Sequence, residues 1–335
     1  MPDEESAILR NEKGEVFVHQ FVASLSCKER SYTYSVTSYQ NSKNIRRGFI
    51  PGDEWLYFKI YCAPQNANDL LLGKIYPLIK KYIRCGEIEQ WFFIRYYEQG
   101  HHLRIRLKVK NEVIKDITGT FNRVLKPLVE IGLINRVLLD TYNREIERYG
   151  AKTMESAERA FMSSSELVTA HLKGGADELR TVGFAVLSTD LLLNAFRISL
   201  TSRIILLENI CTNLMAEHGF EKQLREDLNK KYREHQRMIR QLKVEGPCFL
   251  SSADKSKWGS FKQNLSLLNE ELNRTEYSRK AKLASDLLHM HMNRIFSAEQ
   301  RKKELVIYYL CLRHYLSEQA RNGIRADAMS VPVLH

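Results

Sequence analysis

WFFIRYYEQGHHLRIRLKVK, residues 91–110, is the stretch on which the fold turns. Two runs of aromatic and β-branched residues flank Glu98-Gln99-Gly100, so it reads as two strands joined by a tight glycine-bearing turn. Strand side chains alternate between faces. That puts Leu103, Ile105 and Leu107 on one side and His102, Arg104, Arg106 and Lys108 on the other. In the first strand, Phe92, Ile94 and Tyr96 are set with the apolar side, and Trp91, Phe93, Arg95 and Tyr97 with the basic side. The hairpin is thus expected to aim Arg95, Arg104 and Arg106 at one surface, where partly buried cations repel one another unless anions compensate.

Outward from the hairpin, WLYFKIYC (55–62) reads as a strand and NDLLLGKIYPLIKKYIRCG (68–86) as a helix capped by Asn68 or Asp69 and stopped by Gly86. EVIKDITGTFNRVLKPLVEIG (112–132) is a second glycine-terminated helix, and RVLLDTYNREIERYG (136–150) begins as a strand. Pro77 and Pro127 interrupt the two helices and are expected to kink them. The order β-α-β-β-α-β predicts a ferredoxin-like α+β unit over 51–150, with both helices on one sheet face. On the first strand Leu56, Phe58, Ile60 and Cys62 join the apolar face, and Trp55, Tyr57, Lys59 and Tyr61 the aromatic and basic one.

From about Lys152 the strand signal gives way to long helical stretches, so 151–335 is expected to be a helical bundle packed on the sheet. KVEGPCFLSSADKSKWGS (243–260) has the composition of a long surface loop. Residues 1–50 read as a lead-in, with GEVFVHQFVASL (14–25) a strand from another sheet.

The chain has 335 residues, 44% of them hydrophobic, which suits a folded globular protein. Lys and Arg total 51 against 40 Asp and Glu, and the net charge of +11 favours acidic partners. The six cysteines form no C-x-x-C pair, so neither a disulfide framework nor a zinc ribbon is suggested. With no glycine-rich phosphate loop and no metal-spaced cluster, no cofactor is expected. No run approaches the roughly 20 apolar residues of a membrane span, and the acidic N-terminus is unlike a signal peptide, so a cytoplasmic protein is expected.

The basic face has three readings: a solvated sheet surface, a platform for single-stranded RNA, and a pocket under the bundle where guanidinium groups grip carboxylates. The third strand lacks the glycine-aromatic RNA-binding signature, which weakens the second.

PGDEWLYFKIYC, LLLGKIYPLI, WFFIRYYEQGHHLRIRLK, YNREIERYG and LLHMHMNRIF together resemble the C-terminal glutamate-elimination domain of class I lantibiotic dehydratases, the thiopeptide-type bacteriocin biosynthesis domain, over residues 50–320. The resemblance implies β-elimination of glutamate from glutamylated Ser or Thr of a ribosomally made precursor peptide, leaving dehydroalanine or dehydrobutyrine. The chain is too short to add the large glutamylation region of that family, so it is expected to be the eliminating lyase of a split dehydratase. The implied partners are the glutamylated precursor peptide, a separate tRNA-dependent glutamylation protein and a lanthionine cyclase; direct tRNA binding is not required, and a homodimer is left open.

By the same resemblance, Arg104 and Arg106 match the family's paired arginines, Arg148 a third, and a histidine of LLHMHMNR the elimination histidine. Arg106 and Arg148 are assigned to the glutamyl carboxylates, with Arg104 assisting or holding the hairpin face. His289 and His291 are two apart and lie roughly 200° apart on a helix, so they cannot share a site. His289 lies beside Ser285, Asp286 and Asn293, where an imidazole can be oriented, and is taken as the acid/base; His291 lies with Leu287, Leu288 and Ile295. Arg95, Arg144, Tyr149, His102, His291 and Asn293 are secondary candidates for substrate binding, and Arg144 is an alternative carboxylate ligand. Ala151 stands where the family reads a second glycine after Arg-Tyr-Gly, which loosens the placement of Arg148. A pyridine-forming cyclase of thiopeptide pathways and a non-catalytic basic adaptor for peptide or RNA stay open as alternatives.

Overall fold

The structure, a computed structural model, describes residues 45–321 and 323 apart from 176, 220–221, 247–249 and 273–276; the strand expected over 14–25 lies outside them. Four strands, β2 (Trp55–Tyr61), β3 (Ile88–Tyr97), β4 (His101–Val109) and β5 (Arg136–Leu139), form an antiparallel sheet in the order β3-β4-β2-β5. Two short strands, β1 (Gly48–Phe49) and β6 (Tyr142–Asn143), pair beside it. The β3-β4 turn closes through left-handed Gln99 and Gly100, φ 53° and 119°.

Between β2 and β3 the chain is helical: α1 (Ala67–Leu70), a π-turn over Leu71–Ile75, then α2 (Tyr76–Arg84). A 3₁₀ turn at Pro64–Asn66 precedes it, so Asn68 and Asp69 lie inside the helix and do not cap it. The wide π-turn ends two residues before Pro77, whose ring without an N–H cannot continue a regular ladder. The second helix, α3 (Ile114–Glu130), contains Pro127.

The hairpin register differs from expectation in β3. Tyr57 pairs with Arg106 and Lys59 with Arg104, but across β3 Arg106 faces Phe92, Arg104 faces Ile94, and Arg95 faces Leu103. Paired residues share a sheet face, so Arg95 lies opposite to Arg104 and Arg106, in company with Trp91, Phe93 and Ile105. The reason is that β3 is apolar on both parities and buried on both sides, so its pattern carries no inside-outside signal; the turn alone sets the pairing.

The face with Phe58 and Trp91 packs on the two crossover helices: Phe58 stacks on Phe121 of α3 at 4.7 Å and Trp91 meets Tyr76 of α2 at 5.4 Å. The opposite face carries Trp55, Phe92 and Arg106, covered by Tyr142 of β6 and by Phe161 of α5 (Met154–Lys173). The free edge of β3 is closed by α5 and α10 (Tyr277–Ile295). Phe93 N–H donates to Ser165 Oγ at 3.2 Å, while the Asn293 amide accepts from Arg95 N–H and donates to Arg95 C=O, both at 2.7 Å. Exposed strand-edge groups are thereby satisfied.

The remaining helices are α4 (Ile146–Tyr149), α6 (Glu178–Ala195), α7 (Leu200–Glu217), α8 (Lys222–Glu245), α9 (Ser252–Glu271) and α11 (Gln300–Arg321). The loop expected over 243–260 is mostly helix. Ser251 and Asp254 form a capping box that starts α9, and Trp258 and Phe261 are buried; the polar Ser-Ser-Ala-Asp run is a helix start. No helix among the described residues is long and apolar enough to cross a membrane.

Candidate active site

Arg106 projects from β4 into a cage of rings, its guanidinium carbon 4.4 Å from the centroid of Tyr57, 5.1 Å from Tyr142 and 5.3 Å from Phe92. Its buried Nε has no hydrogen-bond partner among the described residues. Across Phe161 stands Arg294 of α10, 1% exposed, with Nε donating to Ser165 Oγ at 3.2 Å, Nη1 to Met290 C=O at 2.7 Å, and Nη2 buried without a partner. Burial, aided by repulsion from Arg106, pushes its pKa down to about 9. Tyr149, at the end of α4, meets Phe161 edge-on at 5.0 Å; its hydroxyl is also buried, with Arg148 beside it and no acceptor for its proton among the described residues, and burial raises its pKa. Buried cations without counter-ions are costly. Arg294 and Tyr149 thus bring two unused donors to the Phe161 ring, with Arg106 close enough to repel Arg294, and such donors make a place for an oxyanion.

Beside this cluster, Arg148 Nη1 lies 2.9 Å from Glu145 and its Nε 3.4 Å from Asp286 Oδ1. The other oxygen of Asp286 is buried without a hydrogen-bond partner among the described residues; burial raises its pKa, against the opposing influence of Arg148, Lys282 and His289. His289 is held through Nδ1, 3.0 Å from both oxygens of Glu304, a buried carboxylate that also accepts from Tyr308 at 3.0 Å and Arg301 at 2.9 Å. A carboxylate only accepts, so Nδ1 presents its proton to Glu304, and Arg301 Nη1 lies 3.4 Å from the same nitrogen.

The other predicted residues are engaged differently. Arg104 lies 3.5 Å over the Tyr96 ring, donates to Glu98 at 2.9 Å and to His102 Nε2 at 3.1 Å. His102 is buried against Tyr61. Arg144 is closed by Glu158 through two 2.8 Å bonds. Arg95 is buried, donates to Asn68 at 2.6 Å and to Arg294 C=O at 3.1 Å, and burial lowers its pKa to about 10. His291 is 1% exposed, bonded to Ser164 at 2.8 Å and stacked on Phe261 at 5.0 Å; burial pushes its pKa down to about 3. Asn293 is spent on the edge of β3.

The structure therefore sets Arg148 and Tyr149 side by side and reaches Arg106 through Arg294 and His289 through Asp286, while Arg95, Arg104, His102, Arg144, His291 and Asn293 are engaged in other contacts. Sequence reasoning missed Arg294 and Glu304. Arg294 is eight residues past Asp286 and five past His289, and the Asp286-Arg294 spacing marks one helix side. Glu304 reaches His289 from another helix and leaves no local signal. Gly150 takes φ 84° and Ala151 is not among the described residues of positive φ, so the loop after Tyr149 closes without a second glycine.

The family model described as lantibiotic biosynthesis dehydratase C-term matches residues 55–316. The nisin biosynthesis protein NisB of Lactococcus lactis subsp. lactis is 24% identical over 279 residues, 82% of this chain and 26% of NisB. This chain thus spans about a quarter of that relative. The crystal structure of the tRNA-dependent lantibiotic dehydratase MibB from Microbispora sp. 107891 superposes with a TM-score of 0.61 at 21% identity, covering 80% of this chain and 29% of MibB. The pyridine synthase TbtD, from thiomuracin biosynthesis, superposes with a TM-score of 0.58 at 14% identity, covering 82% of this chain and 100% of TbtD. At these identities the two structures establish a shared fold.

Proposed function

The chain belongs to the lantibiotic biosynthesis dehydratase C-terminal family, and on that footing we propose that it eliminates glutamate from glutamylated Ser or Thr of a precursor peptide. The sheet, with its β-α-β-β-α-β succession, is then the ferredoxin-like platform of an eliminating lyase. The reaction breaks the Cα–H bond and the Cβ–O bond, forms the Cα–Cβ double bond and expels glutamate as a carboxylate. A base must accept the Cα proton, and positive charge must meet the developing and departing oxyanions.

The observation that carries this reading is the set of unused buried donors at Arg106, Arg294 and Tyr149. They suit a carboxylate, and pre-aimed donors in a dry site are worth more than in water. Arg106 and Arg148 grip the glutamyl carboxylates, and Arg104 holds the hairpin end. His289, oriented by Glu304, offers Nε2 for proton transfer.

Incubating a glutamylated peptide with the protein and weighing the product tests the proposal. Loss of the glutamyl adduct together with the Ser or Thr oxygen is the expected result. Ring formation from dehydrated peptide marks a pyridine-forming cyclase instead, and binding without mass change marks an adaptor.

A further inference from the structure

A glutamyl group esterified through one carboxyl keeps its second carboxylate and its α-ammonium. The unused donors of Arg106, Arg294 and Tyr149 serve only the anionic end of such a group. An ammonium brought beside Arg106, Arg148 and Arg294 meets repulsion from all three unless an acceptor faces it. Asp286 supplies that acceptor. Its Oδ1 is occupied loosely by Arg148 at 3.4 Å, while Oδ2 is buried with no hydrogen-bond partner among the described residues. It stands on α10, three residues before His289 and eight before Arg294, so one helix carries both an unused acceptor and an unused donor. Glu145, the other carboxylate at Arg148, already pairs with it at 2.9 Å and is exposed.

We propose that Asp286 receives the free α-ammonium of the glutamyl group, which makes the site bipolar and selective for an amino-acyl ester over a simple dicarboxylic half-ester. This rests on the elimination reading and names the part of the substrate that reading leaves unrecognised. The arrangement explains why a carboxylate is kept amid arginines: a purely cationic pocket binds any acyl group with a spare carboxylate, whereas an added acceptor favours those that carry the amine, because only they pair its buried oxygen.

The test uses two stable peptides in which the ester is replaced by an amide on diaminopropionate, one bearing glutamyl and the other glutaryl, identical except for the amine. Calorimetry on the full chain is expected to show the glutamyl peptide binding wild type about tenfold or more tighter than the glutaryl peptide, the scale of one charged hydrogen bond. Asp286→Asn, of the same shape, is expected to bind both equally, with glutaryl affinity close to that of wild type. Equal affinities in wild type, or discrimination that survives in Asp286→Asn, overturns the assignment. Failure of the elimination reading looks different: neither peptide binds wild type and the glutamylated ester peptide is returned unchanged, and the assignment falls with it.

Discussion

The Arg144 guanidinium meets the Glu158 carboxylate in a two-point pair, Nε to Oε1 and Nη2 to Oε2, both at 2.8 Å, with the Tyr142 hydroxyl adding a third bond at 2.8 Å. Charge is satisfied here within the fold, in contrast to Arg106 a few ångströms away across Tyr142. Glu158→Ala leaves a buried guanidinium uncompensated and is expected to cost roughly 3–5 kcal/mol of stability. Urea denaturation measures it; a loss below about 1 kcal/mol would show that the pair does not hold β6 to α5.

Arg106 has no ion pair among the described residues, so its removal costs little packing beyond the ring contacts. Arg106→Ala is expected to keep a cooperative thermal transition while glutamate release falls by about 10²–10³, the range for loss of one oxyanion-stabilising group. Wild-type release by a folded variant rejects its role.

Arg294→Met replaces a buried, unpaired cation with an apolar chain of similar length. Stability of the free protein is expected to hold or rise, as when buried charges are exchanged for hydrophobic groups, while elimination is lost. A melting temperature several degrees lower would mean the bonds to Ser165 and Met290 matter more than the charge.

His289→Ala removes the proposed proton acceptor, and Glu304→Gln removes the carboxylate that fixes its ring. The first is expected to lower kcat by about 10²–10⁴ with KM little changed, the second by a smaller factor in the same parameter. Steady-state kinetics separates the outcomes: an effect confined to KM assigns both residues to binding.

Burial holds His291 neutral in the fold, with its pKa near 3 against 6.5 in the open chain. Below 6.5 the unfolded chain takes up a proton that the folded one refuses. The stability this residue allows is therefore complete above pH 6.5 and drains away as pH falls toward 3, by several kcal/mol in all. Chemical denaturation at pH 7 and pH 4.5 checks this; His291→Gln should show the shallower dependence.

The crossover order and the basic parity of β4 were legible because β2, β4 and the two glycine-terminated helices each carry a period their environment enforces. β3 was not legible: Trp91, Phe93, Phe92 and Ile94 are all buried, so alternation has nothing to contrast, and Arg95 was set on the wrong face. For the candidate site, Arg106, Arg148 and His289 were proposed through the family resemblance, whereas the unused donor on Arg294 and the Glu304 contact depend on helix packing. The capping box at Ser251 was hidden by a composition that loops and helix starts share.

The two hydrogen bonds of Asn293 to the backbone of Arg95 make α10 and β3 a single mechanical part. Asp286, His289 and Arg294 ride on that helix, and Arg106 on the strand next to β3, so the distance between the polar groups of the two walls depends on this amide together with the Arg95 bond to Arg294 C=O. Removing its donor, as Asn293→Asp would, or lengthening it, as Asn293→Gln would, loosens that clasp and detunes the pocket from the edge of the sheet.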